Sequence, residues 1–194
     1  MLMPAAKKKQ AFDFSCGAAS LLCAAVELDA TLPGGMNATD ALRTNMCEVE
    51  LYKYTSGALT GGVVKPFDPT KAGYSYPHSV ALAARTLGLN VTIYMEGFLA
   101  SALATLYPKC EELCVKAGFP VIHGAPPPMA ANRRALCVVT TFVVGLHYVM
   151  LRPGGDFMDP ADGDNHDNFK TMNTWSKVYS QTGITLVLEK EVEV

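Results

Sequence analysis

The chain predicts an α+β fold, with helices in its first part and an antiparallel sheet in its last third. Two observations carry that expectation. Helical apolar periodicity dominates from Cys16 to about Ala117, and β-branched residues crowd the segments after Leu136. With 194 residues, 49% of them hydrophobic and 18% charged, there is ample apolar mass for one core and too little charge for a disordered chain. A single domain over 1–194 follows, with residues 1–9 read as a flexible tail that carries the one basic run, Lys7 to Lys9.

The elements follow from local chemistry. Ser15 is a candidate cap for a central helix from Cys16 to about Leu28, whose apolar stripe is Leu21, Leu22, Ala25 and Val26. Pro33-Gly34-Gly35 breaks the chain, a second helix fits Thr39 to Cys47, and Ser56 to Gly62 with Pro66 and Pro69 reads as an irregular connection. Pro77 suits the first turn of a third helix that Gly88 ends. A strand over Asn90 to Met95 follows, then helical patterns over Phe98 to Tyr107 and Lys109 to Ala117, an extended stretch from Phe119 to Ile122, and a proline loop over Ala125 to Met129.

The last third reads as strands over Leu136 to Val144, Leu146 to Arg152, Asp156 to Asp159 and Ile184 to Glu189. A polar loop, Pro160 to Asn168, and a helix from about Lys170 to Gln181 separate the last two. If Pro153 to Gly155 make a three-residue hairpin loop, Arg152 faces Asp156 and His147 faces Ala161. Asp159 then lies diagonally across from His147 on the same face.

Composition excludes several functions. Sixteen basic against eighteen acidic residues give a net charge of −2, which disfavours nucleic acid as a partner. The longest apolar stretch, Ala135 to Leu146, is broken by Thr140 and Thr141 and falls well short of the ~20 residues of a membrane span. Lys7 to Lys9 lead into Gln10 to Cys16 and not into an apolar signal segment, so a cytoplasmic location is expected. Six dispersed cysteines fit reduced thiols better than a disulfide framework, with Cys110 and Cys114 read as structural thiols on one helix face. The acidic run from Asp156 to Asp167 fails the calcium-loop pattern, because the twelfth residue from Asp159 is Lys170. With no Walker loop and no glycine fingerprint either, neither metal nor cofactor is expected.

The chemistry concentrates at Gln10-Ala-Phe-Asp-Phe-Ser-Cys16-Gly17-Ala18. A cysteine on the first helical turn meets unpaired N–H groups and the positive end of the helix dipole, which stabilise a thiolate. Gly17 and Ala18 would let a substrate carbonyl approach the backbone, and Gln10 could aim its amide at the same place. A nucleophile needs a base, and among His78, His123, His147 and His166 only His147 has an acid, Asp159, in predicted reach.

Gln10 six residues before Cys16-Gly17 at a helix start, His147-Tyr148-Val149 in a strand, and Asp159-Pro160 with Gly163 together resemble the papain-like cysteine peptidase superfamily. Within it the motifs are most similar to the peptidases that remove double-glycine leaders from bacteriocin precursors, and more distantly to phytochelatin synthase. The resemblance covers about 10–28 and 136–163. It implies Cys16 as nucleophile, His147 as general base and acid, Asp159 as its orienting partner and Gln10 as an oxyanion-hole donor.

The expected reaction is acyl transfer through a Cys16 thioester on an amide or thioester of a peptide or small acyl substrate, free or carrier-bound. Water is the default acceptor, and an amine would make the chain an amide-forming acyltransferase. An inactive binding module would be marked by loss of one of the four residues, and none is lost. A thiol redox role lacks a Cys-x-x-Cys pair.

Overall fold

The computed structural model describes residues 5–58, 65–97, 107, 109–141, 145–167 and 179–190. Helix α1, Cys16–Glu27, is buried at every position from Cys16 to Val26, as suits a run of small and apolar side chains with no polar face. Ser15 precedes it but makes no side-chain cap bond. Its hydroxyl instead donates to the buried Glu48 carboxylate at 2.6 Å and accepts the Phe12 N–H at 3.1 Å, a charge-assisted bond displacing the weaker cap.

The single helix expected over Thr39 to Cys47 is two helices, α2, Ala38–Arg43, and α3, Met46–Thr55. Lys8 explains the break. Its ammonium donates to the carbonyls of Leu42 (3.3 Å) and Thr44 (2.9 Å) and to Asn45 Oδ1 (3.1 Å), capturing groups at the end of α2, and lies 3.5 Å from Glu48 Oε2. The basic run is therefore not a free tail. Lys8 is only 6% exposed, the Ala6 N–H donates to Glu27, and the Gln10 N–H donates to the Pro160 carbonyl.

Part of the expected irregular connection is ordered: β1, Ser56–Ala58, pairs antiparallel with β2, Tyr74–Ser75. Helix α4, Pro77–Thr86, starts at its proline and stops before Gly88, and β3, Leu89–Met95, follows. The helix expected over 98–107 lies outside the described residues apart from Tyr107. The next elements are α5, Cys110–Lys116, and β4, Val121–His123.

The remaining strands are β5, Arg133–Thr141, β6, Gly145–Leu151, β7, Phe157–Asp159, β8, Asp164–His166, and β9, Tyr179–Lys190. Strand β8 lies inside the expected polar loop. The start of β9 replaces the end of the helix expected over 170–181, whose residues 170–178 are outside those described. Apart from the separate β1/β2 pair, the seven strands β3 to β9 form one sheet in the order β4-β3-β9-β5-β6-β7-β8, antiparallel throughout except for the parallel β3/β4 pair. The helices-then-strands order is thus incomplete, because β3 and β4 come from the middle of the chain and β9 sits between β3 and β5.

Alternation along the strands makes two cores. Leu136, Val138, Leu146, Tyr148, Met150, Leu186 and Leu188 join α1 and α4 in the larger one, while Ala135, Cys137, Val139, Val149, Phe157 and Val187 form a smaller one on the other face. The β6/β7 register is Met150↔Met158 and Leu151↔Phe157, and Arg152 N–H donates to the Asp156 carbonyl at 2.9 Å. This is the three-residue hairpin expected from Pro153 to Gly155. No helix among the described residues is long and apolar enough to cross a membrane.

Gly17 holds α1 against β2. A Cβ there would lie 2.6 Å from the fully buried Ser75 side chain and 3.4 Å from Tyr148. The small residue after Cys16 therefore serves close packing of helix on strand. Gly17→Ala should destabilise the protein by about 1–3 kcal/mol, the usual cost of overpacking a filled core. Urea denaturation measures this, and an unchanged midpoint would refute the packing role.

Candidate active site

Cys16 opens α1, where its backbone N–H has no helical carbonyl to reach, and is 2% exposed. His147 stands third in β6 and is 6% exposed. Asp159 ends β7, has no exposed surface, and accepts from His147 Nε2 at 2.8 Å through Oδ1. The hairpin register produces this pair, since continuing Met150↔Met158 by one residue sets Asp159 opposite Val149, two residues from His147 on the same face. With Nε2 committed to the carboxylate, the other ring nitrogen remains for Cys16, which lines the same cleft and favours the charged imidazole.

Electrostatics follows from that geometry. Burial opposes charge on the His147 ring, but the bond to Asp159 and the proximity of Cys16 outweigh it, and the imidazole is pushed up to about 9. Asp159 is driven the other way. Burial alone would raise it, yet His147, the Ala161 N–H (2.8 Å) and the Tyr179 hydroxyl (2.8 Å) hold it well below the usual carboxylate range.

Gln10 lies in the same cleft, a space of about 380 Å³ whose walls also include Phe12, Asp13, Cys16, Tyr74, Thr141, Gly145 and His147. Its Nε2 donates to the carbonyls of Phe12 (2.8 Å) and Asp13 (3.0 Å). The segment is held in place by Glu48, whose Oε1 accepts the Ala11 N–H at 2.8 Å, and by the 160–163 turn. Gly163, at φ +79°, makes that turn possible: a Cβ would lie 2.6 Å from the backbone nitrogen of Lys9.

The other candidates are not brought here. His123 pairs with Glu111 at 3.0 Å, and His78 packs on Tyr76. His166 stacks on Phe157 and pairs with Asp162 at 3.1 Å. Asp156 accepts from Arg152 and Asp164 from Lys7, each at 2.9 Å. All six cysteines are free thiols. Burial raises those of Cys23 and Cys47 and pushes Cys137 up to about 12. On α5 the neighbouring Cys110 and Cys114 shift each other, Cys110 down and Cys114 up.

Tyr179 escapes a reading of the sequence. It opens β9, stacks on His147 with ring centroids 5.4 Å apart and planes at 28°, and bonds Asp159 Oδ2 through its hydroxyl. Helical spacing after Lys170 hides it, and the only available signal is the β-branched run that starts three residues later at Thr182.

Comparison with known proteins agrees with this chemistry. A family profile described as "Invasion plasmid antigen J, cysteine protease" matches residues 8–191. The cysteine protease IpaJ of Shigella flexneri is 36% identical over 204 residues, spanning 95% of this chain and 78% of that protein. No solved structure matches at a significant level. The chain belongs to the IpaJ cysteine protease family and is an enzyme of the cysteine peptidase class.

Proposed function

We propose that the chain hydrolyses an amide bond of a peptide substrate through a thioester on Cys16. The observation that carries this reading is the buried set of Cys16, His147 and Asp159, with the imidazole bonded to the carboxylate and sharing a cleft with the thiol. Cys16 Sγ attacks the carbonyl carbon, and the new oxyanion is held by the Cys16 N–H and Gln10 Nε2. The outer of the two Gln10 bonds, to the solvent-exposed Asp13 carbonyl, is the one given up to the oxyanion. His147 passes its proton to the leaving nitrogen, the C–N bond breaks, and the thioester remains. Water then loses a proton to His147 and attacks the thioester, releasing the acid and restoring the thiol.

Motif similarity to the double-glycine leader peptidases supports a peptide as substrate. Six free thiols suit a reducing compartment such as the cytoplasm. An amine in place of water would use the same first half-reaction, so the released product distinguishes the two. Intact mass spectrometry with a peptide-amide library, with and without added amine, reads this directly. An acyl adduct on Cys16 that resolves to a free acid supports hydrolysis, an amide product supports transfer, and no adduct with any peptide refutes the reading.

Cys16→Ala should abolish turnover. In a Cys110→Ser background, which removes the half-exposed thiol on α5, iodoacetamide at neutral pH should label Cys16 ahead of Cys23, Cys47, Cys114 and Cys137. Equal labelling would remove Cys16 as nucleophile.

Gln10→Ala should lower kcat by about 10²–10³, the effect of losing one oxyanion donor, with little change in KM. A pure KM effect would reduce Gln10 to a binding residue.

Asp159→Ala should slow Cys16 alkylation far more than Asp156→Ala, Asp162→Ala or Asp164→Ala, whose carboxylates have the other partners described above. The Asp159–His147 pair also has a signature in stability. A raised His147 contributes fully below its unfolded value of about 6.5, and the contribution is lost as pH rises through about 9. The lowered Asp159 contributes above its unfolded value and loses that only in strong acid. The stability gap between wild type and Asp159→Asn should therefore be wide near pH ~6 and narrow near pH ~10 in urea denaturation. A gap that does not move with pH would contradict the ion pair.

A further inference from the structure

We propose that Tyr179 is a positioning residue for the reaction, its hydroxyl fixing the Asp159 carboxylate while its ring holds the His147 imidazole from one face. The proposal rests on the site assigned above and adds a fourth member supplied by a different part of the chain. It starts from the bonding of the carboxylate. Asp159 Oδ1 accepts from His147 Nε2 and from the Ala161 N–H, both at 2.8 Å, and Oδ2 accepts from the Tyr179 hydroxyl at 2.8 Å.

A carboxylate gripped through both oxygens cannot rotate about its Cβ–Cγ bond without breaking a bond to a charged group, each worth more than a neutral one. Its plane, and hence the direction in which it holds His147 Nε2, is set by Tyr179. The phenol ring adds a second restraint. At 28° to the imidazole and 5.4 Å from it, the ring lies over one face of His147, limiting its tilt and keeping water from the Nε2–Oδ1 bond.

The fold supplies Tyr179 by a device in β9. Cys137 faces Thr185, but Val139 faces Gln181, so Thr182 to Ile184 together stand opposite Val138. The Thr182 hydroxyl donates to the Val138 carbonyl at 2.8 Å and accepts the Ile184 N–H at 3.1 Å, which closes this bulge. Two extra residues advance the strand by one side-chain repeat and set Tyr179, in place of Gln181, opposite Thr141. There its side chain shares a face with Val139 and, across the β5/β6 pair, with His147.

The test needs no substrate. In the Cys110→Ser background, proton NMR follows the His147 Nε2 proton, identified by its loss in His147→Ala, and iodoacetamide follows Cys16. Tyr179→Phe keeps the ring and removes the hydroxyl; Tyr179→Leu removes both, and thermal denaturation checks that each is folded. Tyr179→Phe should speed exchange of the Nε2 proton with water and slow alkylation about tenfold, as expected for losing one hydrogen bond to a charged group, and Tyr179→Leu should do more of both. If both variants keep the exchange and alkylation rates of the parent, whatever happens to the melting temperature, Tyr179 is packing alone and the proposal falls. Faster exchange with unchanged alkylation supports the positioning of His147 by Tyr179 and instead counts against the pairing of His147 with Cys16.

Discussion

Glu27 and Arg152 form the contact on which the geometry of the site depends. Glu27 ends α1, whose first residue is Cys16, and the helix between them is a rod of about 18 Å. Arg152 follows β6, five residues beyond His147. Its Nε and Nη2 donate to Glu27 Oε1 at 2.8 and 2.7 Å, and its other bonds reach Asp156, Asn165 and the Ala6 carbonyl. Arg134 adds a second guanidinium to the same carboxylate at 2.6 Å. One end of the helix is thus tied to the hairpin that bears His147 and Asp159, and the thiol at the other end comes to a fixed place beside the imidazole. Removing Arg152 would leave Glu27 with Arg134, and removing Glu27 would leave Arg152 with Asp156, so each truncation strips a buried charge of its main partner without isolating it.

A second buried ion pair does for the entry segment what the first does for the helix. Lys8 and Glu48 lie 3.5 Å apart with almost no exposure, and their remaining bonds go to backbone and to the side chains of Asn45 and Ser15. The residues between them in space, Gln10 to Ser15, are irregular, and irregular backbone beside a nucleophile must be held by something other than a helix or a ladder. Here the holding is electrostatic. The two pairs bracket the cleft, one at the base of α1 and one at the approach to its start, so the cleft's walls are positioned from outside while its lining keeps Cys16, His147 and Gln10.

The parts legible from sequence were those whose cause is local. Cys16 at a helix start follows from its flanking residues, and the His147–Asp159 pairing follows from the loop chemistry of Pro153-Gly154-Gly155, which sets the hairpin register. What escaped depends on residues remote in sequence. Lys8 reads as a surface lysine until Thr44, Asn45 and Glu48 surround it. Ser15 has the composition of a cap, and only Glu48, thirty-three residues on, diverts it. Tyr179 lies in a stretch with helical spacing, and its strand forms because β3 and β5 are both available to pair with it.

The place of β9 in the sheet has a consequence for how the molecule is made. Strands β3 and β5 are not paired with each other; each pairs with β9, which follows every other strand in the sequence. During synthesis the strands made first fall into two groups, β3 with β4 and β5 through β8, and they cannot be joined into one sheet until β9 leaves the ribosome. The thiol and the imidazole are both present well before that moment. Tyr179, at the start of the joining strand, reaches the imidazole only as the groups unite, so the order of translation delays the completed site until the two halves of the sheet are joined.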